Sequence, residues 1–416
     1  MRRAVHIRWL AGLIAALGIG WYGRGWVEAD QAPAEALGPA LRSALSDGSP
    51  LRRVRRLTQL LERLDAENIG EAAAVYDTEV WRLQECEIRP FVDAWVSIDA
   101  MAAVDAIRVW PTAKRPVGLE AAAQSWARIH PLEARYAVAE LAEEYRSIKS
   151  GLIENFVVGW VHSGEEGVVE FVGELPQNIR SPAIIAMMAS QGRRLGTAGL
   201  LDWADDALGV TEGRYQLSLF RRAAGTATRE NPELAAAWVE RHAGRDYARN
   251  GVRIVAERWM SSDADATLDW VRAAGSAAER DKAIRSAFSW WLQRDRTAAE
   301  QWLLGTELTA LHDPAIDVYA LGLARRSEFQ PALSWAERIQ DETLRLSSLR
   351  AVATLWHRLD AAAAEVWLEQ SPLDEETRRG VREPPPRQRR GRGGATPRRA
   401  AAEDVPAGDP VSDTEP

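Results

Sequence analysis

Trp259-MSSDADATLD-Trp270, Trp291-LQRDRTAAEQ-Trp302 and Trp356-HRLDAAAAEV-Trp367 are three copies of one pattern. In each, two tryptophans stand 11 residues apart, and the first members fall at 259, 291 and 356. Ala324-RRSEFQPALS-Trp335 fills the gap, so the steps are 32, 33 and 32 residues. A fixed period in this range marks stacked helical hairpins, each burying its apolar face only against its neighbours. The frame extends back through Ala227 with Trp238, Gly192 with Trp203, Trp160 with Phe171, Trp126 with Ala137 and Trp95 with Ala106, giving nine units. A degenerate unit carrying Asp65 and Tyr76 precedes them. The expected fold is all-α: a right-handed α-solenoid of about nine hairpins over residues 80–378.

The unit has internal logic. Four residues after the anchor stands a helix N-cap type in five copies: Asp99, Asn231, Asp263, Asp295 and Asp360. A short carboxylate or amide there accepts the free N–H groups that open the second helix. Pro131 and Pro232 follow at the next position, where a missing N–H costs nothing. Eight after the anchor the residue is small: Ala103, Ala134, Ala235, Ala299, Ala332 and Ala364. Small side chains at one repeated position let helices approach closely, and the aromatic three residues later shares that face. Gly244, Gly275 and Asp313-Pro314 then break the second helix. In the first helix, Ile284, Ala287, Phe288 and Trp291 recur at helical spacing, as do Leu349, Val352, Ala353 and Trp356. The repeated tryptophans therefore read as wedges between hairpins. A ligand cage would gather aromatics at one place.

The net charge is −8, and only three of the 52 basic residues are lysines: Lys114, Lys149 and Lys282. Cys86 is the one cysteine, which excludes an internal disulfide or a cysteine zinc site. At the N-terminus, Arg2, Arg3 and Arg8 precede fifteen uncharged residues, Trp9-LAGLIAALGIGWYG. The expectation is a signal anchor or signal peptide over residues 1–27, with residues 9–23 in the inner membrane and the N-terminus cytoplasmic. Cleavage near Ala29, after small residues at Val27 and Ala29, is the alternative. Either outcome places the solenoid in a bacterial periplasm. Residues 28–48 read as a linker, and 49–79 as capping helices. In the first of these Leu51, Val54, Leu57, Leu61 and Leu64 line one face and Arg52, Arg53, Arg55 and Arg56 the other. Residues 379–416 read as a disordered tail, arginine-rich and then acidic. Its QRRGRGG at 388–394 resembles an arginine-glycine tract of nucleic-acid binders.

Catalytic patterns are missing from the sequence: no P-loop, no G-x-G-x-x-G, no H-E-x-x-H and no G-x-S-x-G. The histidines His6, His130, His162, His242, His312 and His357 contain no pair three or four apart, so neither a helical metal site nor any cofactor is expected. His162-Ser163-Gly164-Glu165-Glu166 falls in a hairpin turn, and Asp202, Asp205 and Asp206 around Trp203 read as surface charge. An (α/α) toroid enzyme would need hairpins longer than 32 residues. One pattern points to binding. Six residues before the anchor, four of the last five units carry arginine, Arg221, Arg253, Arg285 and Arg350, with Val318 the exception. These side chains should project from the first helices, off the buried line, and could pair carboxylates or phosphates bidentately. The competing reading is local pairing, Arg253 with Glu257 and Asp281 with Arg285, each four apart.

The unit resembles the tetratricopeptide class in length and in its helix–turn–helix plan. Its mark W-x3-[DN]-x3-A-x2-W is more similar to tryptophan-rich hairpin repeats of bacterial envelope proteins. The resemblance covers roughly 80–378 and implies architecture alone. The expectation is a non-enzymatic, membrane-anchored interaction scaffold that binds an acidic peptide or subunit. The alternatives are an arm holding an anionic envelope polymer for a separate enzyme, and a nucleic-acid binder acting through the arginine tail.

Overall fold

The computed structural model describes residues 36–383 and shows an all-α chain, with no strand among the described residues. Caps write these helices into the sequence. The side chains of Asp99, Asn231, Asp263, Asp295 and Asp360 accept from the backbone N–H of Ala102, Leu234, Ala266, Ala298 and Ala363, at 2.9, 2.8, 2.9, 3.0 and 3.0 Å. Each such bond satisfies one donor that a helix start leaves open.

The chain divides into two compact units, Met1–Arg258 and Trp259–Pro416. The first contains α1 (Leu37–Leu45), α2 (Pro50–Leu61), α3 (Ile69–Glu79), α4 (Glu85–Ile98), α5 (Ala100–Arg108), α6 (Arg115–Ile129) and α7 (Pro131–Glu144). It continues with α8 (Lys149–Ser163), α9 (Val168–Glu174), α10 (Gln177–Gly209), α11 (Gly213–Ala227), α12 (Pro232–Arg241) and α13 (Gly251–Trp259), which ends at the boundary. The second contains α14 (Ala264–Ala273), α15 (Ala277–Arg294), α16 (Arg296–Gly305), α17 (Asp313–Ala324), α18 (Phe329–Ala336), α19 (Glu342–Leu359), α20 (Ala361–Gln370) and α21 (Glu375–Arg382). Within the first unit α4 packs on α6, α6 on α8, α8 on α10 and α10 on α11; within the second, α15 packs on α17, α17 on α19 and α19 on α21.

Eight of the nine anchor positions lie in the last turn of a helix; the ninth, Gly192, precedes a break. Gly196 (φ 69°, ψ 179°) interrupts α10 and splits it into two arms without a loop. A positive φ of this kind favours glycine. The six alanines eight after an anchor all have 0% exposure. Anchor and second aromatic meet with one geometry in three copies. Ring centres are 5.6 Å apart for Trp160 and Phe171, 5.9 Å for Trp259 and Trp270, and 5.7 Å for Trp291 and Trp302. The fold is helical and repeat-like, as the period requires.

Three expectations need correction. The expected linker 28–48 contains α1, because Leu37, Ala40, Leu41, Ala44 and Leu45 recur at helical spacing and are buried against α2 and α3. The apolar face of α2 is narrower than its leucines suggest. Leu57 and Leu61 are buried, whereas Leu51 is 86% exposed. Arg53 of its supposed outer face turns in to pair with the buried carboxylate of Glu87. Finally, the tail does not begin at 379. Asp374 caps α21 by accepting from Thr377 N at 2.7 Å, and Arg382 pairs with Glu365 at 2.9 Å, so helix persists to Arg382. The apolar run 9–23, the site near Ala29, His6 and the tail beyond 383 lie outside the described residues. Among the described residues no helix is long and apolar enough to cross a membrane.

Candidate anion-binding groove

Arg221 and Arg253 come together. Both line a groove of about 340 Å³ formed by the first arm of α10, by α11 and by α13. Gln177 and Ser181 face it from α10, Ser218 from α11, and Ile184 and Ile254 supply its apolar contacts. Arg221 and Arg253 come from two successive first helices, α11 and α13. Sequence reasoning missed two further members, Arg222 and Arg258. Four guanidinium groups thus line a groove that carries one carboxylate, Glu257. That carboxylate is engaged by Arg253, the expected partner four residues away.

Burial holds the pKa values of Arg222 and Arg258 below the usual guanidinium range, and the positive charges of Arg229 and Arg221 add to the effect. Glu257 opposes the shift at Arg258. The signal for Arg258 was a glycine. A Cβ at Gly225 would lie 2.9 Å from Arg258 Cζ and 3.0 Å from its Nε, so the guanidinium occupies space beside α11 that a side chain at 225 would contest. Arg258 Nη1 donates to Ile254 O at 3.2 Å, which holds the group in place.

The other two predicted residues lie in the second unit, in separate grooves. Arg285 lines one with Lys282, Asp317 and Arg325. It is ion-paired with the buried carboxylate of Asp317 on α17, 32 residues away, and not with Asp281 as expected. Arg350 lines the other with Glu376, Arg379 and Glu383. Two carboxylates balance the two arginines of the Arg350 groove, and Asp317 offsets one of three cations in the Arg285 groove; the Arg221–Arg258 groove has four guanidinium groups against one carboxylate.

The same register position in the four earlier units is occupied by Arg89, Glu120, Glu154 and Ala186, so the run of arginines belongs to the later units. Arg89 Nε donates to Glu85 at 2.6 Å, and its Nη1 reaches Gln124 at 3.3 Å and Asn155 at 3.4 Å, tying α4, α6 and α8 together. Burial raises the pKa of Glu120 above the ordinary carboxylate range, against the pull of Arg89.

Asp205 is more than surface charge. Its Oδ1 accepts from Trp238 Nε1 at 2.7 Å and contacts His242 Nε2 at 2.8 Å, while His242 Nδ1 lies 3.0 Å from Tyr247 Oη. The device recurs. Trp110 Nε1 donates to Asp77 at 2.7 Å, and Trp302 Nε1 to Asp265 at 3.1 Å. Each bond satisfies an indole that packs between helices, so these carboxylates fix wedges. His162 Nδ1 contacts its own helix at Val158 O, 2.7 Å away, and Gly164 (φ 78°) makes the expected turn. Among the described residues no group of three or more His, Cys, Asp or Glu side chains could hold a metal ion.

No protein-family model matches the chain, and neither does any curated protein. Among solved structures, Ton1535 from Thermococcus onnurineus NA1 is similar at 15% identity, covering 82% of this chain and 93% of that one, with a TM-score of 0.21. A likeness at that level carries no argument about fold or function.

Proposed function

We propose that the protein is a non-enzymatic interaction scaffold, an α-solenoid of about nine hairpins whose first helices present a docking surface for an acidic peptide. The observation that carries this reading is the convergence of Arg221, Arg222, Arg253 and Arg258 on one groove with a single, already engaged carboxylate. Repeated caps, buried alanines and aromatic pairs support the solenoid, because each recurs at the sequence period. Desolvated guanidinium groups bind carboxylates through paired N–H donors, which favours a ligand with several acidic side chains. The scaffold is anchored by residues 9–23 and faces the periplasm in this proposal, since arginines precede that apolar run.

An oligoglutamate peptide and an oligolysine peptide of equal length, titrated against the full chain by fluorescence anisotropy, test the docking surface. The oligoglutamate should bind and weaken steeply with salt. Arg221→Gln with Arg222→Gln and Arg253→Gln should weaken it by about tenfold or more, equivalent to about 1.4 kcal/mol. A triple variant that keeps its helix content and binds as the parent does would remove the groove from the account. Location has its own test: alkaline phosphatase fused after residue 45 should be active in cells, and an inactive fusion rejects the periplasmic placement.

A further inference from the structure

The geometry points to a more specific ligand: we propose that the Arg222–Arg258 end of the groove is a site for a phosphate dianion, presented as a phosphate monoester or free. This rests on the docking reading above and names the group that is recognised.

Three observations support it. First, the guanidinium groups outnumber what a single carboxylate could engage. One carboxylate offers two oxygens and one charge, enough for one fork. A phosphate group carries roughly −1.5 to −2 charges and three strong acceptor oxygens. Arg221, Arg222 and Arg258 line the groove beside Arg253, four guanidinium groups to the one carboxylate of Glu257. Second, the site is built. Gly225 gives up its side chain and the Arg258 guanidinium fills the space, held by the Ile254 carbonyl. A glycine inside a helix costs about 1 kcal/mol relative to alanine, so the notch has a standing cost that local helix stability does not explain. Third, Arg222 and Arg258 are half-buried beside like charges, a disfavoured arrangement that a bound dianion relieves. The hydroxyl of Ser218 and the amide of Gln177 line the same groove and offer neutral donors to remaining oxygens. Ser218 Oγ is at present turned to its own helix, donating to Arg214 O at 2.9 Å.

The experiment is calorimetric titration of the full chain with inorganic phosphate, with acetate and with a phosphoserine peptide, at pH 7.5 and matched ionic strength. Phosphate should bind about tenfold or more tighter than acetate, a difference that simple screening does not produce. Arg258→Gln should lower phosphate affinity by about tenfold, and Gly225→Ala should do the same by displacing the guanidinium. Because alanine favours helix, Gly225→Ala tests the notch without removing a charge. Arg350→Gln, in the second unit, should leave phosphate binding unchanged. A phosphoserine peptide that binds more tightly than inorganic phosphate assigns the site to a monoester on a chain, and equal binding assigns it to the free ion; both support the phosphate site. Equal affinity for phosphate and acetate, or an Arg258→Gln variant that binds phosphate normally, overturns it. If oligoglutamate still binds in that case, only the phosphate assignment falls and the docking surface stands.

Discussion

At the residue scale, the repeat is maintained by small polar contacts whose loss is measurable. Asp360 accepts from Ala363 N at 3.0 Å and caps α20. Asp360→Ala should destabilise the chain by about 1 kcal/mol, read as a lowered denaturation midpoint, whereas Asp360→Ser should retain most of the cap. His312 gives a pH dependence. It is buried beside Trp302, and its Nδ1 accepts from Thr309 N at 3.1 Å, a bond that needs the unprotonated nitrogen. Burial lowers its pKa and outweighs the opposing pull of the Thr309 backbone and of Asp265 and Asp313. The unfolded chain therefore binds the proton more readily than the folded one. The stabilising contribution is complete above the ordinary histidine pKa of about 6.5 and is lost as pH falls through the folded value. Exposed caps such as Asp374, whose pKa is lowered by its bond to Thr377, lose their contribution only below about pH 4. Melting temperature should thus fall between about pH 6.5 and pH 5, and His312→Gln should flatten that slope. An unchanged slope in the variant would show that another group sets it.

At the scale of elements, close approach decides what each position tolerates. Gly159 brings α8 against α6 so closely that a Cβ there would lie 2.1 Å from the backbone oxygen of Gln124. Alanine would gain about 1 kcal/mol in helix propensity but force a backbone shift costing about 1–3 kcal/mol or more. Gly159→Ala should therefore destabilise, and a stabilised variant would mean that the helices part without cost. The first helix allows a second check. Leu41 is fully buried under α2 and α3, so Leu41→Ala should cost about 2–5 kcal/mol, although its segment has the composition of a linker. Here the limits of sequence reading become physical. Asp263 or Ala299 announces its role because the role recurs in five or six of the nine units, and repetition separates signal from chance. The role of Leu41 occurs once, in a segment rich in alanine, glycine and proline, so only packing reveals it. Leu51 errs the other way: it has the right residue type and spacing, but no neighbour covers it.

At the scale of the whole molecule, the period made the helical plan legible, while the site was legible only in part. Arg221 and Arg253 could be found because they occupy one register position; Arg222 and Arg258 could not, because they lie at different offsets and meet only when α11 and α13 pack. The pairing of Arg285 was misassigned for the same reason, since Asp317 is distant in sequence and adjacent across neighbouring first helices. If the plan is a solenoid, disturbance should travel to the neighbouring hairpin and little further, because each unit packs only on its neighbours. Ala103 tests this within the first unit. It has 0% exposure on α5, which packs on α4 and α6, so leucine's added volume would press on both. Ala103→Leu should cost about 1–3 kcal/mol through overpacking. By amide hydrogen exchange, protection should fall in α4 to α7 and remain at parental levels in α11 and α12, where Phe220 and Trp238 stack at 4.9 Å on their own core. A globular domain with one shared core would lose protection evenly from α4 to α12, and that result would reject the solenoid. The local result would also explain how one chain can hold a strongly cationic groove beside α11 and a Glu120-bearing polar face on α6: a structure stabilised neighbour by neighbour lets each stretch of surface carry its own charge.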